Sequence, residues 1–115
     1  MMENTNTRQQ KIAKQIQKDI AEIIQREHSA ALRGTLVTVT TVRVSVDLAY
    51  AKVYVSVFPF DKAQATLHFL TEQNRAIRGS LGNRMRNQVK SIPELQFFID
   101  DSLEYIENID NLLAK

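Results

Sequence analysis

Residues 42–57 read VRVSVDLAYAKVYVSV, and the alternation within them determines the fold class that we predict. Apolar residues occupy every second position of two runs, and the two runs are separated by a turn at residues 47–48. Apolar residues that recur at every second position, many of them β-branched, are typical of strands with one buried face. We therefore predict a β-hairpin. Its inward-facing members are Val42, Val44, Val46, Ala51, Val53, Val55 and Val57.

The segment before the hairpin predicts an amphipathic helix over residues 8–27. Its isoleucines recur at the spacing of one helical face. Thr7 followed by Gln10 matches a capping box at the start of this helix, and Gly34 is a turn residue after it. The isoleucines are Ile12, Ile16, Ile20, Ile23 and Ile24.

After the hairpin, Pro59 ends the second strand because it cannot donate to the ladder. Asp61, with Gln64 three residues later, predicts the start of a second helical region. The apolar stripe of this region expects an apolar side chain at position 74 but meets Asn74, which predicts a kink or a break there. The stripe consists of Leu67, Leu70, Ile77, Leu81 and Met85.

Pro93 introduces a third strand over residues 94–100, with Leu95, Phe97 and Ile99 on one face. A short acidic tail helix is predicted over residues 102–113, with Asp101 and Glu104 as its capping box, and residues 1–6 are predicted to be a flexible N-terminus. The element order is α-β-β-α-α-β plus the tail helix. Helices covering one face of a three-stranded sheet make a two-layer α+β domain.

The composition favours one small intracellular domain. The chain has 115 residues and no cysteine, which excludes disulfides, thiolate metal sites and cysteine nucleophiles. Residues 1–10 are polar, and the longest apolar stretch, residues 53–58, is too short to span a bilayer. We expect a soluble cytoplasmic protein that does not contact a membrane.

Charge is distributed unevenly along the chain. Residues 1–90 contain 14 basic and 7 acidic residues, whereas residues 91–115 contain 1 basic and 6 acidic residues. A basic body with an acidic tail is typical of proteins that bind nucleic acid. A solubilising surface of uneven charge is the alternative.

The first cluster of cations is a stripe on the first helix, at spacings of three, three and four residues. Such a stripe lies beside the isoleucine face and can neutralise phosphates. Alternatively it is a solvated helix face whose charges pair with Asp19 or Glu22. The stripe consists of Arg8, Lys11, Lys14 and Lys18.

The second cluster lies in a segment without carboxylates, residues 75–90, and arginine suits bidentate phosphate contacts. Gly82 is predicted to let a backbone approach closely. Gly79 to Gly82 also read GxxG, a weak match to the loop that clamps nucleic acid in KH domains. The predicted RNA-binding residues of this cluster are Arg75, Arg78, Asn83, Arg84, Arg86 and Lys90.

Candidate catalytic groups are few. His28 and His68 lack spaced partners, and the acidic residues at 100, 101 and 104 have no histidine to join them. We therefore predict no enzyme activity, no metal and no cofactor. Tyr50, Tyr54 and Phe58 share one strand face, where they either stack RNA bases or pack beneath the helices.

Several segments together resemble the bacterial ribosome-binding factor A family, in order, from Arg8 to about Leu113. The first-helix pattern with Ile16, Ile20 and Ile24 fits as well. The family's usual Ala-x-Gly kink is absent, since Gln73, Asn74 and Arg75 occupy the matching positions. The segments that carry the resemblance are DLAYAKVYVS at 47–56, Ile77-Arg78 with Leu81-Gly82 and Met85-Arg86, and IPELQFFIDDS at 92–102.

The resemblance implies a type II KH-like fold and binding to the immature small ribosomal subunit through 16S ribosomal RNA. It also implies a role late in maturation, support for 5′-end processing and for growth in the cold, and no cofactor or reaction. Maturation GTPases are implied as partners, and we expect a monomer. Two other readings of the sequence stay open. One is a protein-interaction module that uses the acidic tail and a sheet edge, and the other is a KH-like RNA binder outside the ribosome.

Overall fold

A computed structural model of the chain describes residues 7–100. The predicted order of three helices and three strands is confirmed, whereas the predicted N-terminus and tail helix lie outside the described residues. Within them, no helix has the length and apolar character needed to cross a membrane. The elements are α1 (Thr7–Glu27), β1 (Leu36–Val44), β2 (Tyr50–Phe58), a 3-10 turn (Phe60–Lys62), α2 (Ala63–Glu72), α3 (Asn74–Met85) and β3 (Glu94–Ile99).

The three strands form one sheet in the order β1-β2-β3. β1 and β2 are the predicted antiparallel hairpin, with Val42 opposite Val53. β3 runs parallel to β2, with Phe97 also opposite Val53. A parallel pair requires a long crossover connection, and α2 and α3 provide it. The sequence pattern alone left the direction of β3 open.

β1 differs from the predicted first strand at both ends. It begins at Leu36 and ends at Val44, so Val46 lies in the turn and is 75% exposed rather than facing inward. The turn is closed by the Ser45 hydroxyl, which donates to Asp47 Oδ1 at 2.8 Å and accepts from the Tyr50 amide at 3.0 Å. Upstream, the pairing register shifts between Val39 and Thr41, which disrupts the alternation there.

All three helices pack on one face of the sheet, which confirms the two-layer architecture. The isoleucine face of α1 is buried as predicted, and so is the inward-facing row of β2. These side chains form one hydrophobic cluster. Its fully buried members are Ile16, Ile20, Ile23, Ala51, Val53, Val55, Leu70, Ile77, Leu81 and Met85.

The predicted helix starts need correction. Thr7 is already helical, so it does not cap α1 from outside. Asp61 lies in the 3-10 turn, which the amide of Lys62 closes by donating to the Pro59 carbonyl at 3.0 Å. α2 therefore begins only at Ala63, and no side chain caps it. The capping box at residues 101 and 104 lies outside the described residues.

The break between the later helices falls where the sequence predicts it. α2 ends at Glu72 and α3 begins at Asn74. The Asn74 amide Nδ2 donates to the Leu95 carbonyl at 2.8 Å and so ties the junction to β3. The GxxG tetrapeptide lies inside α3 and is not a loop. A Cβ atom added at Gly82 would lie 3.5 Å from Cγ1 of Ile92, an ordinary contact distance, so the packing of the protein itself does not require glycine there.

Replacing Asn74 with alanine should lower the free energy of unfolding by about 1 kcal/mol, because the half-buried Leu95 carbonyl loses its side-chain donor. Urea denaturation followed by circular dichroism measures this change. Asn83→Ala is the matched control, since Asn83 is exposed on the same helix and its loss should change stability by less than about 0.5 kcal/mol. Equal effects of the two substitutions would contradict this role of Asn74.

Candidate nucleic-acid interface

The cationic stripe of α1 lies on one surface. The isoleucine face of α1 is buried against the sheet, which leaves the four stripe residues exposed on the other side of the helix. They line one shallow depression together with Gln88, which follows α3. No carboxylate lines this depression among the described residues, and none of the four cations makes an ion pair with residues 7–100. Such a surface can neutralise several phosphates at once.

The cations of the second cluster do not form one patch. Arg75 and Arg86 lie eleven residues apart on a helix, or about 16 Å at 1.5 Å per residue. Arg75 and Arg78 line a groove between α3 and β3 that also contains the carboxylates of Glu72 and Glu94. The predicted single cluster is therefore divided, and this end of it is mixed in charge.

Two arginines of that cluster are occupied by contacts within the fold. Arg78 donates from Nη2 to the Ile92 carbonyl at 2.6 Å and from Nε to the Pro93 carbonyl at 3.1 Å. Arg84 Nη1 donates to Glu22 Oε1 at 2.6 Å and to Asp19 Oδ1 at 3.3 Å. Their guanidinium groups thus fix α3 to the start of β3 and to α1. The sequence prediction treated both as free for phosphate.

The other end of the second cluster joins the stripe of α1. Arg86 and Lys90 are exposed and line a second depression, and Arg8 lines both depressions. Asn83 is exposed on α3. We call the joined surface the basic face, defined as Arg8, Lys11, Lys14, Lys18, Arg86 and Lys90. It is assembled from α1 and from the segment that follows α3, which only the tertiary fold brings together.

The pairing of α3 with α1 also affects the protonation of Glu22. The hydrogen bond from Arg84 lowers the pKa of the Glu22 carboxyl below its ordinary value of 4.5, and the charges of Arg84, Arg26 and Lys18 add to the effect. Hydrogen bonds to Glu22 and to Asp19 raise the pKa of Arg84. Both groups are therefore charged at neutral pH.

Replacing Arg84 with methionine should destabilise the fold by about 1–2 kcal/mol, because the buried Asp19 carboxylate loses a charged donor. Since the folded pKa of Glu22 is lowered, its contribution is present above about pH 4.5 and is lost as the pH falls through the folded value. The stability difference between wild type and variant should therefore shrink below pH 4.5.

Thermal unfolding at several pH values measures that difference. Glu22→Gln is the control, because it removes one carboxylate but leaves Asp19 and Arg84 paired, and it should cost less than Arg84→Met. A difference that stays constant down to pH 3 would argue against an electrostatic contribution of Glu22.

The turn between β1 and β2 is a feature that sequence reasoning located but did not describe. Hydrogen bonds from the Ser45 hydroxyl and the Ala49 amide lower the pKa of Asp47. Leu48 adopts a left-handed backbone with φ of 62°. The turn lines the second depression next to Arg86 and Lys90. An Asx-type turn favoured by aspartate was the available signal.

The open choice for the aromatic residues of β2 is decided by the structure. Tyr50 and Phe58 are exposed, by 51% and 49%, and Tyr54 is half-buried. They lie on the sheet face opposite the helices, because the alternate positions of β2 are buried. They therefore do not pack beneath the helices.

The remaining candidate groups show no catalytic arrangement among residues 7–100. His28 is half-buried, and its ring lies edge-on to Phe69 at 5.6 Å. His68 is exposed, and its Nε2 lies 3.2 Å from Oε2 of Glu72. Asp100 Oδ2 accepts a hydrogen bond from the Thr40 hydroxyl at 2.6 Å. No group of three histidine or acidic side chains in this part of the chain is placed to hold a metal ion.

Comparison with known proteins identifies one family. The family model for ribosome-binding factor A matches residues 8–113. Ribosome-binding factor A of Flavobacterium johnsoniae is 44% identical over 108 residues, which are 93% of this chain and 83% of that protein.

Solved structures give the same result. Ribosome-binding factor A from Thermus thermophilus, in its crystal structure, matches with a TM-score of 0.68 and 27% identity, over 79% of this chain and 94% of that one. The Thermus thermophilus factor as fitted into a cryo-electron-microscopy map of a 30S complex matches with a TM-score of 0.62 and 30% identity, over 77% and 91%. These neighbours have a KH-like fold, which confirms the predicted fold class.

Proposed function

The chain belongs to the ribosome-binding factor A family, and on this premise we propose that it binds the immature small ribosomal subunit through 16S ribosomal RNA. The observation that carries the proposal is the basic face, where six exposed cations from α1 and from the segment after α3 lie on adjoining depressions. The relative fitted into a map of a 30S complex supports the small ribosomal subunit as the partner. The binding step is phosphate neutralisation with release of counterions.

The proposed RNA contacts differ in how much they contribute to binding. The basic face contributes most, because its side chains are exposed and make no ion pair with residues 7–100. Asn83 and Arg75 are secondary contacts beside it. Arg78 and Arg84 act mainly within the fold, since their guanidinium groups already donate to carbonyl and carboxylate oxygens.

The proposed mechanism is differential binding, without catalysis or a cofactor. The protein holds one conformation of the precursor RNA until the subunit matures. A ligand shifts such an equilibrium only by the difference in its affinity for the two states. The factor must therefore bind the immature subunit more tightly than the mature one. We further propose that the factor is monomeric and cytoplasmic and that it supports 5′-end processing and growth in the cold. Maturation GTPases would displace it from the subunit.

Gradient sedimentation of the tagged chain from growing cells tests the proposal. The chain should cosediment with small subunits that contain unprocessed 16S RNA and should be depleted from mature subunits. Cells without the protein should accumulate RNA with an unprocessed 5′ end, most strongly at low temperature. A chain that stays at the top of the gradient, or that binds both kinds of subunit equally, would refute the proposal.

A further inference from the structure

The sheet face opposite the helices carries most of the large exposed apolar side chains of residues 7–100. Of the five large apolar side chains that are exposed, four lie on this face. No helix of the described residues covers it. Exposed aromatic side chains on an uncovered sheet face are available to stack against a ligand. The four side chains are Leu36, Tyr50, Phe58 and Phe98.

The polar and aromatic residues of this open face are arranged in rows across the strands. Tyr54 of β2 lies opposite Phe98 of β3, and their rings stack with centroids 5.3 Å apart and planes inclined by 26°. Two residues earlier on β2, Lys52 lies opposite Arg43 of β1. Tyr50 lies two residues before Lys52 on the same face of β2. A row of cations thus separates two rows that contain aromatic rings.

The middle of the open face carries positive charge. Lys52 of β2 and Arg43 of β1 are both exposed and lie opposite each other. Two carboxylates belong to the same region: Glu94 opposite Tyr50, and Asp100 at the end of β3, which is bonded to Thr40. Both lie outside the row of Lys52.

We propose that this open face binds a single-stranded segment of RNA, with bases stacked on Tyr50 and on the Tyr54–Phe98 pair and a phosphate held by Lys52. The inference rests on the proposed function, because it adds a second surface to the same RNA partner. Single-stranded RNA is recognised by unstacked bases on aromatic side chains beside cations that follow the backbone. Tyr50 and Tyr54 are four residues apart, or about 13 Å, with Lys52 midway.

The chemistry of the row favours RNA over an apolar protein partner. An apolar protein surface that covered the aromatic rings would also bury Lys52 between them, and a charge buried in apolar surroundings is costly. A phosphate of an RNA strand can pair with Lys52 while the neighbouring bases stack on the aromatic rings. The alternation of ring and charge therefore matches the alternation of base and phosphate.

The open face also continues from the basic face around one end of the sheet. Tyr50 begins β2 directly after the turn that contains Leu48 and Ala49. That turn lines the same depression as Arg8, Arg86 and Lys90. An RNA strand held along α1 can therefore reach Tyr50 by passing over this depression, where the carboxylate of Asp47 lies beside the three cations.

A tryptophan at position 50 makes the inference testable, since the chain has no tryptophan of its own. Titration of Tyr50→Trp with a short oligouridine should quench the tryptophan emission, because a stacked base contacts the indole. Inorganic polyphosphate should cause no quenching at equal charge concentration. Tyr50→Leu should weaken oligouridine binding about 10-fold, the effect of one stacked base. Leu36→Ala, an exposed apolar change on the same face, should not weaken it.

The outcomes separate this inference from the proposed function. Cosedimentation of the wild-type chain with immature subunits, without quenching of Tyr50→Trp by oligouridine, overturns the inference alone. Quenching without cosedimentation supports the open face as an RNA site and rejects the ribosomal assignment. Equal quenching by polyphosphate would show general anion binding. Loss of subunit binding in Tyr50→Leu with unchanged oligouridine affinity would show a protein contact. Either of these last two results also overturns the inference.

Discussion

Replacing Lys11, Lys14 and Lys18 together with glutamate should abolish cosedimentation with immature small subunits while the fold remains intact. The three side chains are exposed and line the same depression, so their loss removes phosphate contacts and adds repulsion. A hydrogen bond to a charged group contributes roughly 1.5 kcal/mol or more, and about 1.4 kcal/mol is tenfold in affinity. The expected loss is therefore at least on the order of 100-fold, as measured by sedimentation with increasing subunit concentration.

A matched variant distinguishes the basic face from net charge. Arg26→Glu, Arg33→Glu and Lys62→Glu together change the net charge by the same amount at positions outside the basic face. This control should bind subunits far more tightly than the first variant. Equal losses in the two variants would mean that only the overall charge matters. Circular dichroism of both should match that of the wild type.

The second large effect concerns the packing of α1 on the sheet. Ile20 is fully buried in the hydrophobic cluster, so Ile20→Ala should lower the free energy of unfolding by about 2–5 kcal/mol through lost burial and the cavity that remains. A small domain has only about 5–15 kcal/mol in total. The variant should therefore unfold at much lower urea concentration, and it should lose subunit binding on warming before the wild type does.

Gln25→Ala is the control for this substitution. Gln25 is exposed on the same helix, and its change should alter stability by less than about 0.5 kcal/mol. If Ile20→Ala were equally mild, α1 would not pack on the sheet as described. The basic face would then lose the support that fixes the orientation of its four cations on α1.

Sequence periodicity predicted the helices and strands, in their order along the chain, because each of these elements has one face that is buried away from water. The isoleucines of α1 and the valines of β2 are buried as their spacing indicated. The periodicity failed where local hydrogen bonds replaced it. Val46 continues the alternation but lies in a turn held by Ser45 and Asp47, and Asp61 matches a capping pattern inside a 3-10 turn.

The candidate site could be predicted only in part. The stripe of α1 follows from helical geometry, since all its members lie on one element. The second cluster crosses from α3 into the segment after it, and nothing in its sequence shows that Arg84 meets Asp19 across two helices or that Arg78 meets two carbonyl groups. Those contacts depend on long-range packing, and so does the junction of Arg86 and Lys90 with Arg8.

The salt dependence of subunit binding tests the central claim most directly, because phosphate neutralisation has a defined signature. For single-stranded RNA, the slope of log affinity against log salt concentration is about −0.7 for each neutralised phosphate. The wild-type chain should show a steep slope, and the variant with Lys11, Lys14 and Lys18 replaced by glutamine should show one that is shallower by about 2. Identical slopes for the two proteins would contradict the assignment of these lysines to RNA phosphates.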